Sequence, residues 1–556
     1  MEKRALLALV LSLAVLLFWQ YYFGLFQSTP TSTQQETGTT APPTTQPATA
    51  STAPPALPPG AGSLPKDQLA NLDKNIENWV AESPFYRAQI ASPGARMASL
   101  QLRKFRTEVD PQSPPMEVVP ARSTGYLPLA VDLLQHQAWQ LSTRPYTGDA
   151  QHSVTVSPDD KSKSLTFDTE IPGQVKVSKI YTFRPESYIV DLEVRMKNLS
   201  SEDIVDQMGL SFYFQPYDDP SKETSYNISQ LSVFEKGNLS IHTPKDLEKQ
   251  ELVLKSPLEW IGYENNFFLQ ALVPIDTSGY QVVSRVLDPA KGLIRMVYLT
   301  DAFQLPAGQE KSYQFKVYMG PKDLGYLNAA GHNLAAAVDY GWFTVIAKPM
   351  IHILNWLYKY THNYGIAIIL LTIAIKIIFW PLTQKSYKSM QMMKKIQPKI
   401  QQIREKYKDD REKLNQELMQ AYRTYKVNPM GGCLPMVLQI PVFFALYRML
   451  NGAVELRHEP FMLWMNDLTA PDRLHIGIDI PYLGGIPVLT LLMGISMFIQ
   501  QKMTPTGGDP RQEKMMLLMP VVFTFFFINF PSGLVLYWLV NNVLSIAQQY
   551  WINRHA

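Results

Sequence analysis

Lys376 occupies an unusual position, about two-thirds of the way along a 19-residue apolar stretch, residues 364–382. A lysine near the centre of a bilayer costs about 2.5–3.5 kcal/mol on insertion scales, so an intramembrane lysine is a functional residue by default. Thr372 lies four residues earlier and falls on the same face of a helix. The pair predicts a polar, positively charged site inside a membrane.

A second interpretation of Lys376 stays open, because Leu382 is only six residues away. A lysine side chain can extend its charge along apolar surface to the membrane interface. Polar residues in other apolar stretches either line the same space or simply join helices through hydrogen bonds. They are Gln439, Tyr537, Trp538, Asn541, Asn542 and Ser545.

Six apolar stretches are predicted to position these side chains. A helix crosses the hydrocarbon core with about 20 residues, so the 38-residue apolar region 515–552 is predicted to be two helices hinged at Pro531-Ser532-Gly533. The first stretch ends in bulky aromatic residues, which favours an uncleaved signal anchor. The predicted spans are residues 1–27, 364–382, 433–450, 482–500, 515–530 and 533–552.

The charges between the spans predict their direction. Residues 383–427 carry 12 Lys and Arg against five Asp and Glu, whereas residues 451–481 carry two against five. The positive-inside rule places the first segment in the cytoplasm and the second outside. Six crossings that start inside return the C-terminus to the cytoplasm, so both termini are predicted to be cytoplasmic.

The cytoplasmic segment 383–427 has the pattern of a helical hairpin. Ile396, Ile400 and Ile403 recur at helical spacing, and Leu414 and Leu418 begin a second stripe after two aspartates. Its net charge of +7 suits anionic lipid headgroups or ribosomal RNA, although a topology signal explains much of it. The residues predicted to recruit partners there are Lys394, Lys395 and Lys399.

The first half of the chain differs in character. Residues 28–65 are rich in Pro, Thr and Ser and predict an extended linker. Residues 66–330 contain alternating segments such as 190–197, VDLEVRMK, which predict an antiparallel β-sandwich on the outer side of the membrane. Residues 331–363 mix aromatic and basic residues, which predicts an amphipathic helix in the interface.

The composition excludes several classes of protein. Cys433 is the single cysteine, so no intrachain disulfide framework exists and no cysteine-rich metal site is expected. The sequence lacks the HExxH motif, the phosphate-binding GxxxxGK[ST] loop and the GxSxG elbow. We expect no metal, no cofactor and no DNA partner.

Five motifs along residues 340–552 resemble those of the YidC/Oxa/Alb family of membrane protein insertases, in the family's order. They are Lys376-x4-Pro381-Leu382-Thr383, Gln397-Pro398-Lys399-Ile400, NPMGGCLP at residues 428–435, PVFFALY at residues 441–447 and FPSGLVLYW at residues 530–538. The anchor, linker and β-domain resemble the longer form found in Gram-negative bacteria. In that form the β-domain is a periplasmic supersandwich.

The resemblance implies a five-helix insertase core, residues 364–552, around a hydrophilic groove whose cation attracts the polar or acidic tail of a client protein. Family members usually have arginine where this sequence has Lys376. Thr372 and Trp538 match family positions that contact the passing segment. Implied partners are nascent inner-membrane proteins, membrane lipids, the ribosome and the Sec translocon (SecYEG, SecDF). The implied activity inserts and helps to fold proteins, and it is not enzymatic.

Two other functions are compatible with parts of the pattern. A transporter or channel would share the polar groove, but the predicted spans after the anchor contain no carboxylate, which ion-coupled transport normally needs. A membrane-anchored periplasmic sugar-binding protein would use the β-domain. Such a protein needs one anchor, so five further spans with their own polar residues count against it.

Overall fold

A computed structural model describes residues 78–217, 229–255, 257–275, 280–408, 410–425, 427, 434–477, 483–503 and 510–555. The predicted signal anchor, residues 1–27, and the linker, residues 28–65, lie outside the described residues. Strands occupy the first half of the described chain, and long helices occupy the second.

The strands form four sheets. Their orders are β4-β3-β2-β1-β7, β14-β13-β16-β17-β21-β10-β9-β8-β6, β15-β18-β19-β12-β5 and the pair β11-β20. In chain order the strands are β1 (Asn78–Glu82), β2 (Tyr86–Ala91), β3 (Arg96–Arg106), β4 (Pro115–Glu117), β5 (Ala130–Leu133), β6 (Thr147–Gly148), β7 (Ser153–Thr155), β8 (Lys163–Ile171), β9 (Val175–Phe183), β10 (Ile189–Asn198), β11 (Ile204–Asp206), β12 (Met208–Phe214), β13 (Gln230–Glu235), β14 (Asn238–His242), β15 (Leu252–Leu254), β16 (Trp260–Glu264), β17 (Phe268–Pro274), β18 (Gln281–Asp288), β19 (Leu293–Leu299), β20 (Phe303–Leu305) and β21 (Glu310–Pro321).

The alternation seen in the sequence becomes the two faces of the large sheet. In β10 the apolar residues from Val190 to Met196 are buried, and the charged residues between them are partly exposed. β10 pairs antiparallel with β9 and with β21, so that Leu192 lies opposite Tyr181 and Phe315. A one-residue slip would expose the whole buried set, so the register is strongly specified. The predicted β-sandwich is confirmed.

Nine α-helices are present in the described residues. They are α1 (Pro244–Lys249), α2 (Leu324–Ala330), α3 (Thr344–Thr361), α4 (Tyr364–Lys406), α5 (Arg411–Thr424), α6 (Leu434–Gly452), α7 (Val488–Met503), α8 (Pro510–Phe527) and α9 (Ser532–His555). Short 3₁₀ helices occupy Pro120–Thr124, Gln137–Trp139, Pro289–Lys291, Leu334–Ala337, Gly341–Phe343 and Val454–Leu456.

The helix α4 is continuous over 43 residues, from the apolar stretch into the predicted cytoplasmic segment. It begins where the Asn363 side chain caps the Ile366 amide at 3.1 Å. The first arm of the predicted hairpin is therefore the C-terminal half of α4 and not a separate helix. Pro381 and Pro398 lie inside α4 without ending it. The second arm, α5, packs back on α4, where Ile396, Ile400 and Val427 are buried together.

The helices pack around α9, which contacts α4, α6 and α7, while α8 packs on α7. The predicted hinge is present, because α8 ends at Phe527 and α9 begins at Ser532. Helix α3 packs against α4 and α6 with Ala347, Ile351 and Leu354.

Two loops of the sandwich contact the helical region. The Arg457 Nη1 atom donates to the carbonyl oxygen of Arg106 at 2.7 Å, and its Nη2 atom donates to that of Thr107 at 3.2 Å. The Asn266 side-chain amide donates to the carbonyl oxygen of Asn451 at 3.2 Å. The segment after α6 therefore lies at the same end of the helices as the sandwich. One continuous apolar core joins the two regions.

Candidate functional site

Lys376 lies twelve residues into α4. It is therefore about 18 Å from the N-terminus of this helix, which is the end that faces the sandwich. The neighbouring apolar residues Ile377 and Ile378 point outward and are 64% and 73% exposed. Lys376 is only 5% exposed, because its side chain turns toward α9. Around this position the helix thus presents an apolar outer surface and buries the one charge of its apolar stretch, residues 364–382.

Two uncharged side-chain oxygens of α9 receive the Lys376 ammonium. Its Nζ atom donates to Ser545 Oγ at 2.5 Å and to Asn541 Oδ1 at 3.3 Å. The Ser545 hydroxyl donates in turn to the carbonyl oxygen of Asn541 at 2.7 Å. Ser545 thus accepts from the ammonium and donates to the backbone of α9. The arrangement is a buried cation held by neutral side-chain acceptors.

The contact between α4 and α9 continues as a line of polar pairs. Gln548 Nε2 donates to Thr383 Oγ1 at 2.9 Å, and Gln391 Nε2 donates to Asn553 Oδ1 at 2.8 Å. Positions 376, 383 and 391 of α4 recur roughly every two turns, so they lie on one face. We call the three pairs Lys376–Ser545, Thr383–Gln548 and Gln391–Asn553 the polar seam.

The structure divides the other predicted residues of the site between different neighbours. The Asn542 amide donates to Ser496 Oγ of α7 at 3.0 Å, so it faces away from Lys376 although Asn541 faces toward it. The Thr372 hydroxyl donates to the carbonyl oxygen of Ile368 at 2.7 Å, within α4 itself. Of the polar residues named from the sequence, the structure brings Asn541 and Ser545 to Lys376.

Aromatic packing accounts for the next group. The Trp538 ring lies edge-on to Phe443 of α6 at 4.8 Å and close to Phe527 of α8 at 5.2 Å. Tyr537 is buried in the apolar core, and Gln439 on α6 is partly exposed. Trp538, on α9, thus packs against α6 and α8, one turn from Asn541 and Asn542.

The three lysines of the predicted recruitment site are exposed on α4. Lys394, Lys395 and Lys399 lie on the face opposite the buried Ile396 and Ile400. Helix pairing therefore uses the apolar stripe and leaves the positive charges in solvent.

A partly buried carboxyl group, that of Glu455, lies at the joint between the sandwich and the helices. Glu455 Oε1 accepts from the Asn355 amide at 3.5 Å, and Asn355 Oδ1 accepts from the Tyr364 hydroxyl at 3.2 Å. Burial, together with a smaller contribution from the nearby Asp323 carboxylate, raises the pKa of Glu455 to about 7. This carboxyl group is absent from the predicted site and has no sequence pattern that singles it out.

By length and composition, Tyr364–Lys406 is the helix in the described part of the chain that can cross a bilayer. Helix α7, Val488–Met503, and the Met515–Phe527 part of α8 are shorter apolar helices. No group of three or more His, Cys, Asp or Glu that could hold a metal ion occurs within the described ranges.

Comparison with known families assigns both halves of the chain. Residues 78–353 match the model described as YidC periplasmic domain, and residues 356–556 match the model described as 60Kd inner membrane protein. A relative from Syntrophobacter fumaroxidans named membrane protein insertase YidC is 65% identical over 559 residues, covering all of both chains. The chain belongs to the YidC membrane protein insertase family.

Other YidC relatives agree over the full length. The membrane protein insertase YidC of Geobacter metallireducens is 40% identical, and the alignment covers all of this chain and 98% of the relative. A solved structure described as an active YidC insertase with the first transmembrane domain resolved covers 86% of this chain and 93% of its own, at 19% identity and a TM-score of 0.38. A galactose mutarotase related enzyme from Lactobacillus acidophilus covers 44% of this chain and 97% of its own, at 11% identity and a TM-score of 0.30.

Sequence reasoning missed two sets of contacts outside the predicted site. Thr383 and Gln548 form the second pair of the seam, and they were not singled out as partners because 165 residues separate them. Arg457 was counted as a loop charge, and nothing in its neighbours indicates that it holds two carbonyl groups of the sandwich.

Proposed function

We propose that this chain inserts membrane proteins into the bacterial inner membrane and assists their folding, with the Lys376 ammonium as the attracting charge for a client's acidic tail. The observation that carries the proposal is the burial of this ammonium against uncharged oxygens of α9. Both hydrogen-bond partners that the structure gives this ammonium are uncharged, so a client carboxylate would supply the opposite charge that the site lacks. The full-length similarity to proteins named membrane protein insertase supports the same function.

The proposed topology has six spans, with both termini in the cytoplasm and the sandwich in the periplasm. The contacts of Arg457 with the sandwich support this arrangement, since they place the segment after α6 on the sandwich side. The basic half of α4 then extends into the cytoplasm. The proposed domains are those predicted from the sequence: residues 1–27, 28–65, 66–330, 331–363 and 364–552, with the hairpin at 383–427.

The proposed mechanism needs no covalent step, so we propose that the chain is not an enzyme. A polar site within the bilayer shortens the apolar path of a crossing tail. Transfer of the client's apolar segment into lipid releases about 0.8 kcal/mol for each buried CH₂ group and supplies the driving force. Thr372, Gln439, Tyr537, Trp538, Asn541 and Asn542 are proposed to line the path.

The decisive experiment reconstitutes the purified full-length protein in liposomes and measures insertion of a single-spanning client. The client is made with its tail acids present and with the same acids changed to amides. We expect wild type to insert the acidic tail faster, Lys376→Arg to keep this preference and Lys376→Ala to lose it. Equal loss of both clients in Lys376→Ala would contradict charge attraction.

The hairpin is proposed to recruit ribosomes or anionic lipid, alone or beside the Sec translocon. Each lysine near an anionic surface contributes about 1 kcal/mol to attraction. Reversing the charges of Lys394, Lys395 and Lys399 should therefore weaken binding to anionic vesicles at least about tenfold, and insertion should fall with it. A matched neutral triple variant separates loss of charge from repulsion. Normal insertion by the reversed variant would reduce the hairpin to a topology signal.

A further inference from the structure

We propose that Asn541 and Ser545 form a latch, which holds the Lys376 ammonium against α9 until a client's acidic tail displaces it. The inference rests on the proposed function and adds a resting state to the same site. Ser545 and Asn541 are positioning residues in this proposal, because they act through the lysine. They would set how strongly a client's acidic tail must attract the ammonium in order to displace it.

The geometry of Ser545 supports a built acceptor. Its hydroxyl is anchored by donation to the carbonyl oxygen of Asn541 one turn earlier, at 2.7 Å. The same oxygen accepts a hydrogen bond from Lys376 Nζ at 2.5 Å. The side chain of Asn541 adds a second, longer contact at 3.3 Å. One turn of α9 thus provides both acceptors.

The chemistry of the acceptors makes the hold reversible. Both are uncharged and offer the ammonium only a dipole, whereas a carboxylate brings a full opposite charge, whose attraction is strong where the effective dielectric constant is low. A client carboxylate therefore competes successfully with either oxygen, whereas a neutral tail does not. The latch would thereby keep the charge covered in the absence of an acidic client.

The rest of the polar seam allows release without separating the helices. The pairs Thr383–Gln548 and Gln391–Asn553 join α4 to α9 at 2.9 Å and 2.8 Å, beyond Lys376 along α4. Their bonds do not involve the ammonium. Lysine has a flexible four-carbon stem, so its charge can change partners while the backbone of α4 stays in place.

The test measures one ratio, the insertion rate of the acidic-tail client divided by that of the neutralised client, in liposomes with full-length protein. Ser545→Ala removes one acceptor, so we expect the ratio to rise roughly three- to tenfold. Ser545→Thr retains the hydroxyl and should restore the wild-type ratio. Asn541→Asp places a carboxylate beside the ammonium, which should lower the ratio toward that of the neutral tail.

Thr383→Ala is the matched control, because it also removes a hydroxyl group that bonds across the same helix pair. Its ratio should equal that of wild type. An equal rise in Thr383→Ala and Ser545→Ala would mean that a loosened seam, and not a latch, controls the site. That result overturns the proposal.

An unchanged or lower ratio in Ser545→Ala would also overturn the latch. Should Ser545→Ala fail to assemble in the membrane, Asn541→Asp still tests the proposal, since an unchanged or raised ratio there contradicts it. Lys376→Ala distinguishes the two levels of inference. If this variant keeps the wild-type ratio, the proposed function itself fails, whatever the latch variants show.

Discussion

The sandwich and the helical region each bury a lysine, and they do so in different ways. Lys179 in β9 is fully buried, and its Nζ atom donates to three backbone carbonyl oxygens, those of Gly94, Ala95 and Leu129, at 2.6–2.9 Å. Lys376 in α4 donates to two side-chain oxygens of α9. The first lysine joins loops of the sandwich through their backbone, and the second joins α4 to side chains of α9.

We propose that this difference in acceptors separates a structural charge from a functional one. Backbone carbonyl groups in a folded sandwich cannot leave, so the Lys179 ammonium is held wherever the sandwich is folded. Side-chain acceptors such as Asn541 and Ser545 can exchange for another partner at little cost to the fold. Burial is common to both lysines, so we infer a function for Lys376 from the type of its acceptors and not from its burial.

The strongest test of this contrast is Lys179→Met. The substitution removes three donors from buried carbonyl groups, each of which costs about 1–3 kcal/mol when left unmade. Ala95 keeps a second donor, the Tyr181 hydroxyl at 2.6 Å, so we expect a total loss of about 2–4 kcal/mol. Urea unfolding of the full-length protein, followed through its β-sheet circular dichroism, measures this loss.

Lys197→Met, at an exposed position of β10, is the control and should change stability by less than about 0.5 kcal/mol. A variant as stable as wild type would show that the three carbonyl bonds do not hold the sandwich together.

A titratable acid, Glu455, lies at the joint between the sandwich and the helices. The pKa of Glu455 is raised from its ordinary value of 4.5 to about 7, so between these values the folded protein keeps a proton that the unfolded chain has lost. Stability must then fall as pH rises through that window. Glu455→Gln should remove this dependence and be more stable than wild type by roughly 1–3 kcal/mol at pH values above 7.

Unfolding of both proteins on each side of the window measures the effect of Glu455. Below the ordinary value of 4.5 the two proteins should be about equally stable, because the wild-type carboxyl group is then protonated in both states. Glu170→Gln, at an exposed position, serves as the control. A constant difference at every pH would mean that the substitution acts through packing and not through the proton.

The smallest expected change in stability, and the one that completes the contrast, belongs to Lys376→Met. The variant loses two bonds to neutral side chains but no longer buries a charge, so stability should stay equal or rise by up to about 2 kcal/mol. Its insertion of acidic-tail clients should nevertheless fall. Thermal unfolding beside the insertion assay checks both results. A loss of stability similar to that of Lys179→Met would make both lysines structural.

Local patterns predicted the elements of this protein well. Strict alternation predicted β10, and the same period places Lys179 on the buried side of β9 between Val177 and Tyr181. The proline–serine–glycine break predicted the boundary between α8 and α9. These features depend on neighbours within a few residues, which the sequence contains directly. The identity of Lys376 as an internal charge was also readable in this way.

Periodicity is a local property, so the amino-acid pattern alone indicates where apolar and polar residues recur. Which polar groups meet depends on how the helices and sheets pack against one another. Asn541 and Asn542 are adjacent in the chain, yet one faces Lys376 on α4 and the other faces Ser496 on α7, since successive residues of a helix differ by about 100° in direction. The partner of Lys376 lies 169 residues away, and the carbonyl partners of Lys179 lie 50 to 85 residues away. Such distant pairings arise from the packing of whole helices and sheets, which no local pattern encodes.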